Sequence, residues 1–253
     1  MDKINHCRDA IIDEQHKAIL IWTPKAGCTL GISIMFQHMG VFQTALTYKR
    51  KGLHGYRVDV HYRTTGFVDY NKHLLSKQYR VLKLIRNPYD RAVSQYLFCM
   101  RVENLTDSFK EYLQILKQHS MSYVVHGKSH SLITKHSIVQ YITNEEQYVT
   151  DYLHLETIQS DLQRVNQKYG WSLSIPLNVP TGHHVPRDDT VASKIEYLGN
   201  TPFPRLPKKV PSSYDCFYNS ETSKLVEELY VDDFSHYQSY QLTKADKSGL
   251  RGP

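Results

Sequence analysis

Residues 18–40, AILIWTPKAGCTLGISIMFQHMG, decide the fold class. Ala18–Thr23 is a short apolar run rich in β-branched side chains, stopped by Pro24 and Gly27, the pattern of a strand buried on both faces. Leu30–Met39 is apolar enough for a buried helix, and Gly40 supplies a stop. The same succession recurs outward from this stretch. Val81, Leu82, Leu84 and Ile85 form a strand, and Pro88 opens a helix that runs through Phe98. A third case starts at Tyr148–Leu155 (YVTDYLHL) and continues with Ile158, Leu162 and Val165 at near-helical spacing. Three strand-to-helix alternations predict an α/β fold around a parallel sheet. Further helices are expected over Ser108–His119 and Ser220–Phe234, the second with Leu225, Val226, Leu229 and Tyr230 on one stripe.

The loop Thr23–Leu30 (TPKAGCTL) has a chemistry of its own. A tight turn from a parallel strand into a helix aims backbone N–H groups and the positive helix end at one spot. Gly27 allows close backbone approach, Lys25 brings a positive charge, and Thr29 offers a hydroxyl to a phosphate oxygen. The plain alternative is an ordinary strand–helix turn with a solvent-facing lysine. The loop is not a Walker A motif, which places its lysine after the second glycine, whereas Lys25 precedes the only one. Residues 81–87, VLKLIRN, hold no acid to bind magnesium, which weakens a kinase or nucleotide-hydrolase reading.

Bulk properties narrow the classes further. The chain has 253 residues, 31 Lys+Arg against 25 Asp+Glu and a net charge of +6, a balance that favours an anionic ligand. Nucleic acid is not implied, because the densest basic stretch, Lys49-Arg50-Lys51, lacks interleaved aromatic residues. The longest strongly apolar run, Ala18–Trp22, is far below the ~20 residues of a membrane span, and MDKINHCRDAIIDEQHK lacks a signal-peptide core. A soluble cytoplasmic protein is expected. The scattered Cys7, Cys28, Cys99 and Cys216 read as reduced thiols. One domain over 1–242 and a flexible tail over 243–253 are expected, with a long irregular excursion over 176–213, which holds nine of the chain's 22 prolines and glycines.

At the second strand's end stands Arg86-Asn87-Pro88-Tyr89-Asp90-Arg91-Ala92-Val93-Ser94-Gln95-Tyr96. Ser94 falls about two helical turns beyond Arg86. A guanidinium fork and a hydroxyl suit a phosphate monoester, although Arg86 could instead pair with Asp90. Together, TPKAGCT and RNPYDRAVSQY resemble the 5'-phosphosulfate loop and 3'-phosphate motif of sulfotransferases that use 3'-phosphoadenosine 5'-phosphosulfate (PAPS), especially the carbohydrate sulfotransferase (family 2) branch. Asp151–Thr157 and Leu225–Phe234 are similar to that family's later strand and C-terminal helix. The resemblance implies a three-layer P-loop-like fold with a central sheet flanked by helices. It implies that Lys25, Ala26, Gly27, Cys28, Thr29 and Leu30 cradle the phosphosulfate, and that Arg86 and Ser94 grip the 3'-phosphate. PAPS would be the donor and 3'-phosphoadenosine 5'-phosphate (PAP) the product, with no metal required. Asn87 stands where the family usually has Asp, and can make similar side-chain-to-backbone contacts.

Transfer also needs a base for the acceptor's proton, and histidine suits that near neutral pH. His61 is the first candidate, since the uronyl 2-O-sulfotransferases carry an HGH-type segment between the same two motifs, and His54 is the second. A metal pair from His126 and His130 or from His183 and His184 lacks a carboxylate or cysteine at fitting spacing, so none is expected. His183, His184 and Arg187 could line an acceptor mouth. The acceptor expected is a soluble small metabolite or saccharide bearing a hydroxyl or amine. Two alternatives stay open: a P-loop-like kinase or hydrolase, and a non-catalytic module that binds adenosine bisphosphate. Oligomeric state is not legible.

Overall fold

The structure is a computed structural model and describes residues 9–64, 76–118, 124–125, 128–129, 138–180, 197–206 and 214–237. The tail 243–253, much of the 176–213 excursion, and His126, His130, His183, His184 and Arg187 lie outside these residues. The chain divides into two compact units, Met1–Arg86 with Ile142–Thr181, and Asn87–Tyr141 with Gly182–Pro253. In chain order the longer helices are α1 (Cys28–His38), α2 (Pro88–Glu103), α3 (Phe109–Gln118), α4 (Ile158–Tyr169) and α5 (Ser220–Leu229).

The first unit is built on four strands, β1 (Asp9–Asp13), β2 (Ala18–Trp22), β3 (Arg80–Ile85) and β4 (Asp151–His154), in spatial order β1-β2-β3-β4. β2, β3 and β4 are parallel, as the strand–helix alternation requires. β1 is the departure from an all-parallel sheet: it pairs antiparallel with β2, Asp13 opposite Ala18. Only four residues join the two, with Lys17 in the left-handed region at φ 50°, and so short a link permits only an antiparallel pair.

Alternate residues of the sheet feed two apolar layers. Leu20, Trp22, Leu82, Leu84 and Leu153 pack with Ile32, Met35 and Phe36 of α1 and Leu162 and Val165 of α4. Ile19, Ile21 and Val81 face the other way, onto Ile142 and Tyr148. Each fully buried aliphatic side chain contributes about 1.5–3 kcal/mol. Gly31 brings α1 close to the sheet, since a Cβ there would stand 3.0 Å from Leu20 and 3.1 Å from Leu84. An ion pair enters the interior: Lys83, on β3, is fully buried and ion-paired with the equally buried Glu145. Glu145 also accepts from the Ile142 N–H at 2.7 Å, so its carboxylate has two donors in place of water.

The second unit holds α2, α3, α5, a short helix Val231–His236 and a small hairpin pairing Val124–Val125 with Lys128–Ser129. Its core centres on Tyr96, Phe109, Tyr112, Phe217 and Tyr230. The single helix expected over Ser220–Phe234 is two helices instead. Tyr230 leaves the helical region (φ −118°, ψ 34°), and its buried hydroxyl donates to Gln95 Oε1 at 2.8 Å. After the break, Asp233 accepts from the Gln140 and Tyr141 N–H groups at 2.6 and 2.8 Å. Among the described residues, no helix is long and apolar enough to cross a membrane.

Candidate active site

Parallel pairing sets Trp22 opposite Leu84, so the loop after β2 and Arg86 after β3 emerge at neighbouring strand ends. The loop is tight, with the Ala26 N–H donating to the Thr23 carbonyl at 3.2 Å. Lys25 and Gly27 both take left-handed backbone, φ 69° and 100°. For the lysine this costs on the order of 1–3 kcal/mol, the kind of local strain that the surrounding fold must hold in place. Space adds a second reason for Gly27: a Cβ there would lie 2.7 Å from Leu155 Cδ1, so the leucine side chain would have to move. The first α1 bond runs from the Gly31 N–H to the Gly27 carbonyl at 3.0 Å, and no side chain caps the helix. The N–H groups of Cys28, Thr29 and Leu30 therefore precede the helix's own acceptors, at its positive end.

Cations gather here. Arg86, 7% exposed, donates from Nη1 to the Lys25 carbonyl at 3.2 Å. Burial pushes the Cys28 thiol up, against the opposing pull of Lys25 and Arg57. Burial thus disfavours a thiolate at Cys28, which packs against the core. Arg57 is a residue that no spacing in the sequence marks. Its guanidinium lies 5.4 Å from the ring centroids of both Trp22 and Tyr62 and 3.0 Å from Asp9, and its charge reaches Cys28. Only the π-type turn Arg57–His61 brings it there.

The two candidate histidines have different surroundings. His54, in the short helix Gly52–Tyr56, places Nε2 3.2 Å from Thr29 Oγ1. His61 is 4% exposed, and its Nε2 accepts the Ile12 backbone N–H at 3.2 Å. Burial pushes its pKa down to about 4, outweighing an upward pull from Asp13 and reinforced by Arg57. Its ring also packs edge-on against Phe36.

The Arg86–Tyr96 motif spans both units. Asn87 opens the second and caps α2, its Oδ1 accepting from the Tyr89 N–H at 3.0 Å, with Pro88 at the first helical position. Arg91 is a core residue: it is fully buried, donates to the Ile138 carbonyl, and lies 3.8 Å from Asp233 and 5.5 Å from the Tyr230 ring. Ser94 follows in α2 and is 8% exposed. Within the first unit, then, the fold brings together Lys25, Gly27, Thr29, Arg86 and His54. His61 is engaged by β1, and Ser94 belongs to the second unit.

The model of the sulfotransferase family matches residues 8–241, which run through both units. Neither a curated protein nor a solved structure matches the chain.

Proposed function

The chain belongs to the sulfotransferase family, and from that premise we propose that it moves a sulfonate group from PAPS to a hydroxyl or amine of a soluble small metabolite or saccharide in the cytoplasm. The observation that carries this reading is the loop of left-handed Lys25 and Gly27 entering α1, with the Arg86 guanidinium on its carbonyl edge. In this reading Lys25 and the N–H groups of Cys28 to Leu30 hold the phosphosulfate, and Arg86 holds the 3'-phosphate.

The chemistry follows from where charge develops. As the acceptor oxygen or nitrogen bonds to sulfur, the bond from sulfur to the bridging phosphate oxygen breaks, and that oxygen keeps the electron pair. Lys25 and the helix-end N–H groups stabilise the growing negative charge, a fixed arrangement of donors that needs no reorganisation during the step. His54 takes the acceptor's proton. The contact with Thr29 Oγ1 supports His54 in this role, because it places the ring beside the loop against a hydroxyl that can rotate away, whereas Nε2 of His61 is held by the fixed backbone N–H of Ile12. In this reading His54 serves as the base in preference to His61.

Incubating the protein with PAPS labelled in its sulfonate and a panel of phenols, sugars and amines tests the reading. A labelled acceptor with equimolar PAP supports it. Binding of PAP without turnover on any acceptor would point instead to a binding module, and nucleotide binding that requires magnesium to a kinase or hydrolase.

A further inference from the structure

Outside this loop, one cluster has the chemistry of a metal site. Asp13 ends β1, His16 lies in the turn to β2, and His38 is the last residue of α1. Asp13 Oδ2 is 2.8 Å from His16 Nδ1 and 3.8 Å from His38 Nε2, and one ligand atom from each of the three lies within 4.8 Å of the others. A tetrahedral ion with donors at ~2.0–2.2 Å sets those donors about 3.3–3.6 Å apart, so small side-chain shifts suffice.

His38 makes the arrangement more than a coincidence of charge. Its side chain is 2% exposed, and both ring nitrogens are buried without a hydrogen-bond partner. A buried unsatisfied imidazole is costly, and an ion is one of the few things that repays it. Asp13 is prepared for the complementary role: its Oδ1 accepts the Gln15 and His16 N–H groups at 3.0 and 3.1 Å, which fixes the carboxylate and turns Oδ2 toward the two rings. Such outer bonds orient a ligating carboxylate. The negative end of α1 adds a field favourable to a cation. Trp171, its ring 6.2 Å from that of His38, shields one side.

We propose that Asp13, His16 and His38 form a site for a divalent transition-metal ion of the zinc class, with water completing the coordination. The site belongs to the end of β2 opposite the loop, since Asp13 pairs with Ala18 and His38 closes α1. Its effect is to tie the β1–β2 turn to the end of α1, a staple on the fold and not a part of sulfonate transfer. Spacing concealed it, because His16 and His38 are joined only through the sheet.

The test uses the full chain, stripped with a chelator and titrated with Zn²⁺ by calorimetry and with Co²⁺ by visible absorption. One ion per chain is expected, together with a melting temperature raised by about 5–10 °C at an ion concentration a hundredfold above Kd. His38→Gln and His16→Gln should each weaken binding about 100-fold or more, while His154→Gln, remote from the cluster, leaves it intact. Circular dichroism checks that each variant folds, and if His38→Gln does not, the half-exposed His16→Gln carries the comparison. No stoichiometric binding to the wild-type chain, or binding unchanged in both cluster variants, overturns the proposal.

Discussion

The first unit uses a lysine and a histidine in each of two places, with opposite chemistry. At the loop edge, Lys25 sits half-buried in left-handed backbone, and His54 faces the Thr29 hydroxyl. In the interior, Lys83 is fully buried against Glu145, and His61 is closed in beneath the Ile12 N–H. Residue type is the same in both, and the difference is where the fold holds each side chain. Lys83 and His61 are committed to the fold, with their partners supplied by other strands and turns. Lys25 and His54 are held beside a helix end where N–H groups gather, an arrangement whose natural complement is an anion. A charged residue near a motif is therefore a candidate only until its partner is known.

That contrast can be broken most decisively at His54. His54→Gln should cut turnover by about 10²–10⁴-fold while PAP still raises the melting temperature, whereas His61→Gln should leave turnover per folded molecule near wild type. Steady-state kinetics on both variants, corrected for folded fraction by circular dichroism, checks this. A loss confined to His61→Gln would reverse the assignment.

The next largest effect belongs to the interior lysine. Lys83→Ala leaves Glu145 charged and unpaired in an apolar layer, and should cost about 3–5 kcal/mol in urea unfolding. Replacing both partners with apolar residues, Lys83→Met with Glu145→Leu, should recover much of that loss. Full stability in Lys83→Ala would show that the interior charge is not committed as described.

The smallest effect is one of pH. His61 has its pKa lowered to about 4 in the folded chain, while an unfolded histidine titrates near its ordinary value of 6.5. Between those values the unfolded chain binds the proton and the folded chain does not, so stability is fully present above pH ~6.5 and falls as pH drops toward ~4. The loss from this group is on the order of 3 kcal/mol, and His61→Gln should flatten that part of the curve. An unchanged slope in the variant would mean that the ring is not held neutral by burial.

Much of the first unit was legible because its signals are local. Ala18–Trp22 and Val81–Ile85 are apolar runs closed by Pro24, Gly27 and Pro88, and these became β2, β3 and the entries to α1 and α2. β1 was missed, since its apolar Ala10–Ile12 is three residues long among charged neighbours, and only pairing with β2 makes it a strand. The break at Tyr230 was equally hidden, and the partner of its hydroxyl, Gln95, is 135 residues away in sequence. At the site, the loop and Arg86 could be named from motif and strand end. The proposed preference for His54 over His61 rests on a hydrogen bond across 49 residues to Ile12, which no spacing in the sequence shows. Arg57 and the Asp13–His16–His38 cluster needed the sheet itself before they met anything.

The central claim is that the Thr23–Leu30 loop is a phosphosulfate cradle whose lysine acts in the transition state. It is tested most directly by measuring PAP affinity and single-turnover sulfonate transfer side by side in wild-type and Lys25→Ala protein. We predict PAP affinity within about tenfold of wild type and a transfer rate lower by about 10²–10³-fold. Equal transfer rates in the two proteins, or no PAP binding by the wild-type chain, would contradict the account.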